Sequence, residues 1–133
     1  MTEKILVTGS SGMLGQDLCP LLEQAGYSVI KTNSRNMDIT KFDNVETVFY
    51  KENPNIVIHC AAYTNVDGAE IDLKTAQLIN STGTENIAKA CRKYDATMVY
   101  ISTDYVFNGN GTKPYKPNDP REPLNNYGLT KME

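Results

Sequence analysis

The chain opens with a short apolar run that ends in glycines: Lys4-Ile5-Leu6-Val7-Thr8, then Gly9-Ser10-Ser11-Gly12-Met13-Leu14-Gly15. No other feature constrains the fold as strongly. Ile, Leu and Val in unbroken succession read as a strand buried on both faces, as in a parallel sheet. Glycine at the strand's end permits a sharp turn, and its lack of a side chain lets backbone or ligand come close. Leu14, Leu18, Leu21, Leu22 and Ala25 then recur at helical spacing until Gly26. Strand, glycine turn and helix start, in that order, make an anion cradle, because the first amides of a helix have no intrahelical partner. A Walker-type loop is excluded, since no Gly-Lys-Ser/Thr follows. Pro20 interrupts the apolar periodicity, so this helix is expected to kink or to stop early.

The rest of the chain repeats the alternation. Further strands are expected at Tyr27–Lys31, Asn55–Ala61 and Met98–Ser102, with Asn55–Ala61 the most plainly buried of all. One helix is expected from Thr40 or Asp43 to the Asn53-Pro54 stop. Another runs from about Asp72 to Tyr94, with Leu73, Ala76, Ile79 or Asn80, Gly83, Ile87, Ala90 and Cys91 towards the sheet. Residues 33 to 38 are too polar and too few for a crossover helix. A long Gly-, Pro- and Asn-rich connection from Asn108 to Asn126 precedes a new helix carrying Tyr127. This order specifies an α/β fold, a Rossmann-like doubly wound parallel sheet.

With 133 residues there is room for one domain and its core. A formal charge of −3, spread along the chain, argues against a surface that neutralises nucleic-acid phosphates. Cys19, Cys60 and Cys91 lie far apart, which suits a reducing compartment better than a disulfide framework or a zinc site. No stretch reads as a signal peptide or a membrane span, so a cytoplasmic location is expected.

Glycines in this arrangement fit a dinucleotide pyrophosphate. Such sites usually place a carboxylate about 20 residues on, against the ribose hydroxyls. Here the second strand ends in Lys31-Thr32-Asn33-Ser34-Arg35 instead. With no acid to repel it, a 2′-phosphate could be met by Ser34 and Arg35, and Arg35 reads equally well as a solvated loop charge. Asp38 and Ile39 suit the adenine edge. The expected cofactor is NADPH, with NADH not excluded.

Tyr127 and Lys131 are four apart and share one face of a helix. An ammonium close to a phenol favours the phenolate and lowers a pKa that is otherwise about 10. Tyr127 could then give a proton to a ketone oxygen as hydride reaches the carbon, while Lys131 holds the cofactor ribose. Thr103, at the exit of the fourth strand, could donate a second hydrogen bond to that oxygen. Ala61 and Ala62 leave room for the cofactor's flat middle, and Tyr63 or Thr64 could meet a ribose. His59, the sole histidine, and Cys60 read as packed strand residues. Asp67, Glu70 and Asp72 read as a solvated helix start, so no metal site is expected.

These residues resemble the extended short-chain dehydrogenases/reductases, and within them the dTDP-4-dehydrorhamnose reductases. The resemblance rests on VTGSSGMLG, MDIT at 37 to 40, HCAAYTNVDGAE at 59 to 70, ISTDYVFNG at 101 to 109 and PLNNYGLTK at 123 to 131. It implies Thr103, Tyr127 and Lys131 as the catalytic trio. It implies Gly9, Gly12, Met13, Leu14, Asp38, Ile39, Ala61, Ala62 and Thr64 as cofactor contacts, beside Ser11 at the glycine turn. It further implies reduction of the 4-keto group of a dTDP-6-deoxy-hexulose, NADPH and often NADH, and magnesium-assisted homodimers in some members. Family members are about twice this length. Residues 1–133 are therefore expected to be the N-terminal NAD(P)-binding portion of an incomplete sheet, with later strands and the substrate half outside them. Two alternatives remain: a non-catalytic relative such as the regulatory subunit of methionine adenosyltransferase, or a reductase or epimerase of another nucleotide sugar.

Residues 1–133 alone are expected to bind dinucleotide weakly and to turn over no substrate. NADPH titration and a keto-sugar assay of the isolated chain check this, and robust reduction would overturn it.

Overall fold

The computed structural model describes residues 3–62, 66–102, 106, 121, 123 and 126–132. Four strands, β1 (Lys4–Thr8), β2 (Ser28–Lys31), β3 (Ile56–His59) and β4 (Thr97–Tyr100), lie parallel in the order β2-β1-β3-β4. The helices are α1 (Met13–Gln24), α2 (Phe42–Glu52), α3 (Val66–Ile71), α4 (Leu73–Gln77), α5 (Thr84–Lys93) and α6 (Asn126–Met132). A π-helical turn, Leu78–Gly83, joins α4 to α5 without a break in right-handed backbone.

The pleat sorts the strands' side chains between two cores. Ile5 and Val7 meet Cys19 of α1, with Leu18, Leu22, Ile56 and Ile58 packed around them. Leu6 and Val57 face the other way, onto Val45 and Phe49 of α2 and Ile87, Ala90 and Cys91 of α5. Helices on both faces of a parallel sheet make the fold doubly wound, as its alternating elements predict. Ile5, Leu6, Val7 and Thr8 are all buried, whereas β3 alternates between half-buried and buried. The most enclosed strand is thus β1 rather than the expected Asn55–Ala61, because Ile56 and Ile58 remain only half-buried on the α1 side.

Pro20 neither shortens nor ends α1, which runs on to Gln24. Proline removes one backbone donor, and at an exposed position water can serve the carbonyl left over. The buried stripe also differs from the leucine pattern. Leu14 and Leu21 are 47% and 62% exposed, while Gly15, Leu18, Cys19 and Leu22 face inward. Gly15 fixes that rotation: an added Cβ would lie 2.5 Å from the Gly9 carbonyl oxygen and 2.6 Å from Ser10 Cα. The third glycine therefore serves the turn's own backbone.

The helix expected from Asp72 has another helix, α3, before it. Asp72 marks the joint, its carboxylate capping α4 by accepting from the Thr75 N–H at 3.2 Å and the Thr75 hydroxyl at 2.7 Å. Of the expected sheet-facing side, Ile87, Ala90 and Cys91 are buried in the core against the sheet, whereas the buried Asn80 is turned to Thr130 of α6. Gly83 lies against the loop after β2, where an added Cβ would stand 2.6 Å from Ile39 Cδ1.

Phe49 is fully buried and meets the Tyr94 ring at 6.1 Å between centroids. Phe49→Ala is expected to lose about 3–5 kcal/mol in urea unfolding. Tyr50→Ala, at a position 79% exposed, is expected to stay within about 0.5 kcal/mol of wild type.

Candidate functional site

At the carboxyl ends of the strands lies a cavity of about 750 Å³, within the roughly 300–1,000 Å³ typical of small-molecule sites. Its position follows from β1, which delivers the chain into the glycine turn. Gly9 has φ +62, and an added Cβ would sit 2.8 Å from the backbone nitrogen and Cα of Ala61. The turn is stitched to the exit of β2: the Ser10 N–H and hydroxyl each donate to the Thr32 carbonyl at 3.0 Å. Gly12 precedes α1 and has no side chain to cap it, so the first amides of α1 are left for a ligand.

Twelve of the residues singled out from the sequence line this cavity. Gly9, Ser11, Gly12, Met13 and Leu14 come from the turn and the start of α1. Ser34, Asp38 and Ile39 come from the loop after β2, Ala61 and Ala62 from the exit of β3, and Tyr127 and Lys131 from α6. Arg35 is exposed and does not line it. Asn33 accepts the Arg35 backbone N–H at 2.9 Å, a local turn that leaves Ser34 beside the cavity. Lys31, at the end of β2, pairs with Glu23 at 2.8 Å. Thr103, Tyr63 and Thr64 lie outside the described residues.

Several lining residues were not read from the sequence as site residues. Thr75, Leu78 and Ile79 reach the cavity from α4 and the π-helical turn, and Ile101 and Ser102 from the exit of β4. Ile79 packs against the core, as its place in the sheet-facing stripe implies, and reaches the cavity as well. Thr75 and Leu78 lie outside that stripe, where the helical pattern offers no signal. Asp38 turns out to organise its own loop. One carboxylate oxygen accepts from the Thr40 N–H at 3.0 Å and the Thr40 hydroxyl at 2.6 Å. The Thr40 hydroxyl holds the Asp38 carboxyl below the usual carboxylate range. The Ile39 carbonyl, in turn, accepts from the Asn86 side chain at 2.8 Å.

Electrostatics at the far wall are set by burial. Lys131 is 6% exposed, and loss of water pushes its ammonium below the usual lysine range. The ammonium stands 4.6 Å from the centre of the Tyr100 ring, and the Tyr100 hydroxyl donates to the Lys131 carbonyl at 3.0 Å. Burial, with the nearby Tyr127, raises the Tyr100 phenol. Burial also raises the Cys60 thiol, so it lines the cavity as a neutral group and not as a thiolate nucleophile. His59 is 1% exposed, as its place in an apolar run implied. Burial first, and the Lys131 charge second, bring its pKa down to about 4. Among the described residues no cluster of His, Cys, Asp or Glu could hold a metal ion, and no helix is long and apolar enough to cross a membrane.

A close-set glycine turn, unpartnered helix amides and a largely apolar cavity at the strand ends suit a dinucleotide's pyrophosphate and flat rings. The class of fold is the Rossmann-like NAD(P)-binding one. The chain belongs to the dTDP-4-dehydrorhamnose reductase, or RmlD-type, family of extended short-chain dehydrogenases/reductases, and the family profile "RmlD substrate binding domain" matches residues 3–133. It is 45% identical over 128 residues to the spore coat polysaccharide biosynthesis protein SpsK of Bacillus subtilis, covering 96% of this chain and 45% of that protein. It is 42% identical over 126 residues to a dTDP-4-dehydrorhamnose reductase of Streptomyces griseus, covering 95% and 41%. A crystal structure of the Bacillus anthracis dTDP-4-dehydrorhamnose reductase in complex with NADP superposes with a TM-score of 0.96 at 39% identity, covering 99% of this chain and 47% of that one. The chain thus spans about half the length of the curated relatives it matches.

Because folding lowers the proton affinity of His59, the unfolded chain binds more protons between pH 6.5 and about 4. Stability is therefore expected to fall as pH drops through that window, by about 3 kcal/mol at its lower end. Urea unfolding across the window should show a flatter dependence for His59→Gln, which has no such proton to take up.

Proposed function

We propose that these residues form the dinucleotide-holding and proton-donating part of a reductase acting on the 4-keto group of a dTDP-linked 6-deoxy-hexulose, on the route to dTDP-L-rhamnose. The observation that carries this reading is that Tyr127 and Lys131 of α6 line the same cavity as the glycine turn and the exits of β3 and β4. The sequence likeness to reductases of this substrate class and the NADP bound to the Bacillus anthracis protein support it. NADPH is the favoured cofactor, with NADH also used, and the bound nicotinamide supplies the hydride.

The residues divide the remaining work. The glycine turn and the first amides of α1 hold the pyrophosphate. Ser34 beside the cavity and the exposed Arg35 next to it meet a 2′-phosphate, with no carboxylate in the Lys31–Arg35 segment to repel it. Tyr127 gives its phenol proton to the ketone oxygen as that oxygen gains charge. Lys131, buried and cationic, favours the resulting phenolate and holds the ribose. Thr103 directly follows Ser102, a lining residue, and donates a hydrogen bond to the same oxygen.

In the full-length protein, NADPH consumption is expected only when the dTDP-linked keto-sugar is supplied. Tyr127→Phe is expected to lower kcat by about 10²–10⁴-fold while NADPH affinity is retained. Unchanged turnover in that variant would remove Tyr127 from the reaction. Turnover confined to a different nucleotide-linked keto-sugar would overturn the choice of substrate.

A further inference from the structure

The three strand ends β1, β3 and β4 carry Thr8, His59 and Tyr100 side by side in register. Thr8 and His59 belong to a buried series of polar groups whose hydrogens can be assigned by counting donors. The Thr84 hydroxyl lies 2.8 Å from the Asn80 carbonyl, which can only accept, so Thr84's one hydrogen is committed there. Its oxygen also lies 2.9 Å from His59 Nε2 and must accept, which puts a hydrogen on Nε2. At the other side of the ring, Thr8 Oγ1 already accepts the Ala61 N–H at 3.0 Å. It stands 2.7 Å from His59 Nδ1, so it donates its own hydrogen to a bare nitrogen. The result is a one-way chain: Ala61 to Thr8, to His59, to Thr84, to the carbonyl of Asn80.

The chain continues through Asn80's side chain. Asn80 Nδ2 donates to Thr130 Oγ1 at 3.0 Å, and Thr130 donates to the Tyr127 carbonyl at 2.9 Å. Asn80 sits in the π-helical turn, a departure from α-helix that recurs at functional sites. Thr84's bond back to the carbonyl four residues earlier is a feature that bends helices, and here it lies at that turn. One end of the series therefore touches the cavity's wall at Thr8 and Ala61, and the other holds the helix carrying Tyr127 and Lys131.

We propose that His59 is a positioning residue: as the neutral imidazole protonated on Nε2, it orders this chain and, through Asn80 and Thr130, sets where α6 presents Tyr127 and Lys131 to the cavity. The assignment rests on the role given to those two residues above. A second ring proton would point Nδ1–H at Thr8 Oγ1, which already accepts from Ala61, and would force the threonine hydrogen to another acceptor. The titratable groups facing the ring oppose that proton or leave it unpaired. Lys131 is a cation from α6, Tyr100 from β4 stacks on the ring at 6.2 Å between centroids, and Cys60 on the same strand is a neutral thiol.

The test uses full-length protein with bound NADPH. Nitrogen-15 spectra of the imidazole, assigned by the signal missing from His59→Gln, are expected to show Nε2–H with an unprotonated Nδ1, unchanged from about pH 5.5 to 8.5. An Nδ1–H tautomer, or a midpoint near the ordinary histidine value, would overturn the proposal. Thr84→Val, which deletes the middle link, is expected to move the amide signals of Tyr127–Lys131, and unmoved signals would also overturn it. In kinetics, His59→Leu is expected to lower kcat about tenfold or more with a much smaller change in the KM for NADPH. His59→Gln, which keeps a donor for Thr84, is expected to recover most of that loss. Equal kcat in wild type and His59→Leu, or equal losses in both variants, would refute positioning. If His59→Leu fails to fold, Thr84→Val and His59→Gln still decide the matter. Wild-type protein that binds NADPH without any turnover would sink the reductase reading alone, because the tautomer and the α6 signals are read without turnover.

Discussion

The structure depends on a close approach between two backbones. Gly9, at the exit of β1, lies so near Ala61, at the exit of β3, that a single extra carbon would stand 2.8 Å from its main chain. That contact lets the glycine turn fold over the sheet edge and aim the start of α1 into the cavity. Gly15 repeats the constraint one helical turn later, against Gly9 and Ser10. The packing of α1, its rotation and the shape of the site therefore follow from the absence of side chains. The two cores then fix the elements in place around this fold in the backbone.

Against that backbone frame, the site's far wall is built from buried polar groups, each satisfied by a neighbour. Among the described residues no buried side-chain nitrogen or oxygen lacks a hydrogen-bond partner. That matters because an unmet polar group in a dry interior costs about 1–3 kcal/mol. Among these buried polar groups Lys131 brings a charge, its ammonium set over the Tyr100 ring. Its charge helps keep His59 uncharged, so one cation is retained where two would repel. A lysine desolvated in this manner interacts strongly with whatever anionic or partly negative oxygen enters beside it.

Much of this was legible in the residues themselves. The apolar run before Gly9, the glycine spacing and the alternation of strands with helical patterns identify the sheet and place the cavity. Tyr127 and Lys131 share a helical face in sequence and line one cavity in the structure. Other features were hidden for definite reasons. The four leucines of α1 could not set its rotation, because the decisive residue was a glycine with no hydropathy to read. Pro20 left the length of α1 open, and the helix runs through it to Gln24. The break at Asp72 follows from a capping bond, and the role of His59 from donors and acceptors drawn from three separate elements. Such long-range pairings leave no periodic trace.

The wide turn at Leu78–Gly83 holds one residue more per loop of backbone than an α-helix would. Each residue of an α-helix rotates the chain by about 100°. Removing one residue there would tighten the spiral and swing everything beyond it by about that angle relative to what came before. Ile87 and Cys91 could then keep to the sheet only if Asn80 swung out of reach of Thr130. The loosened coil thus acts as a phase shifter, letting one continuous rod show a greasy side to the sheet along its second half and an amide to α6 in its first.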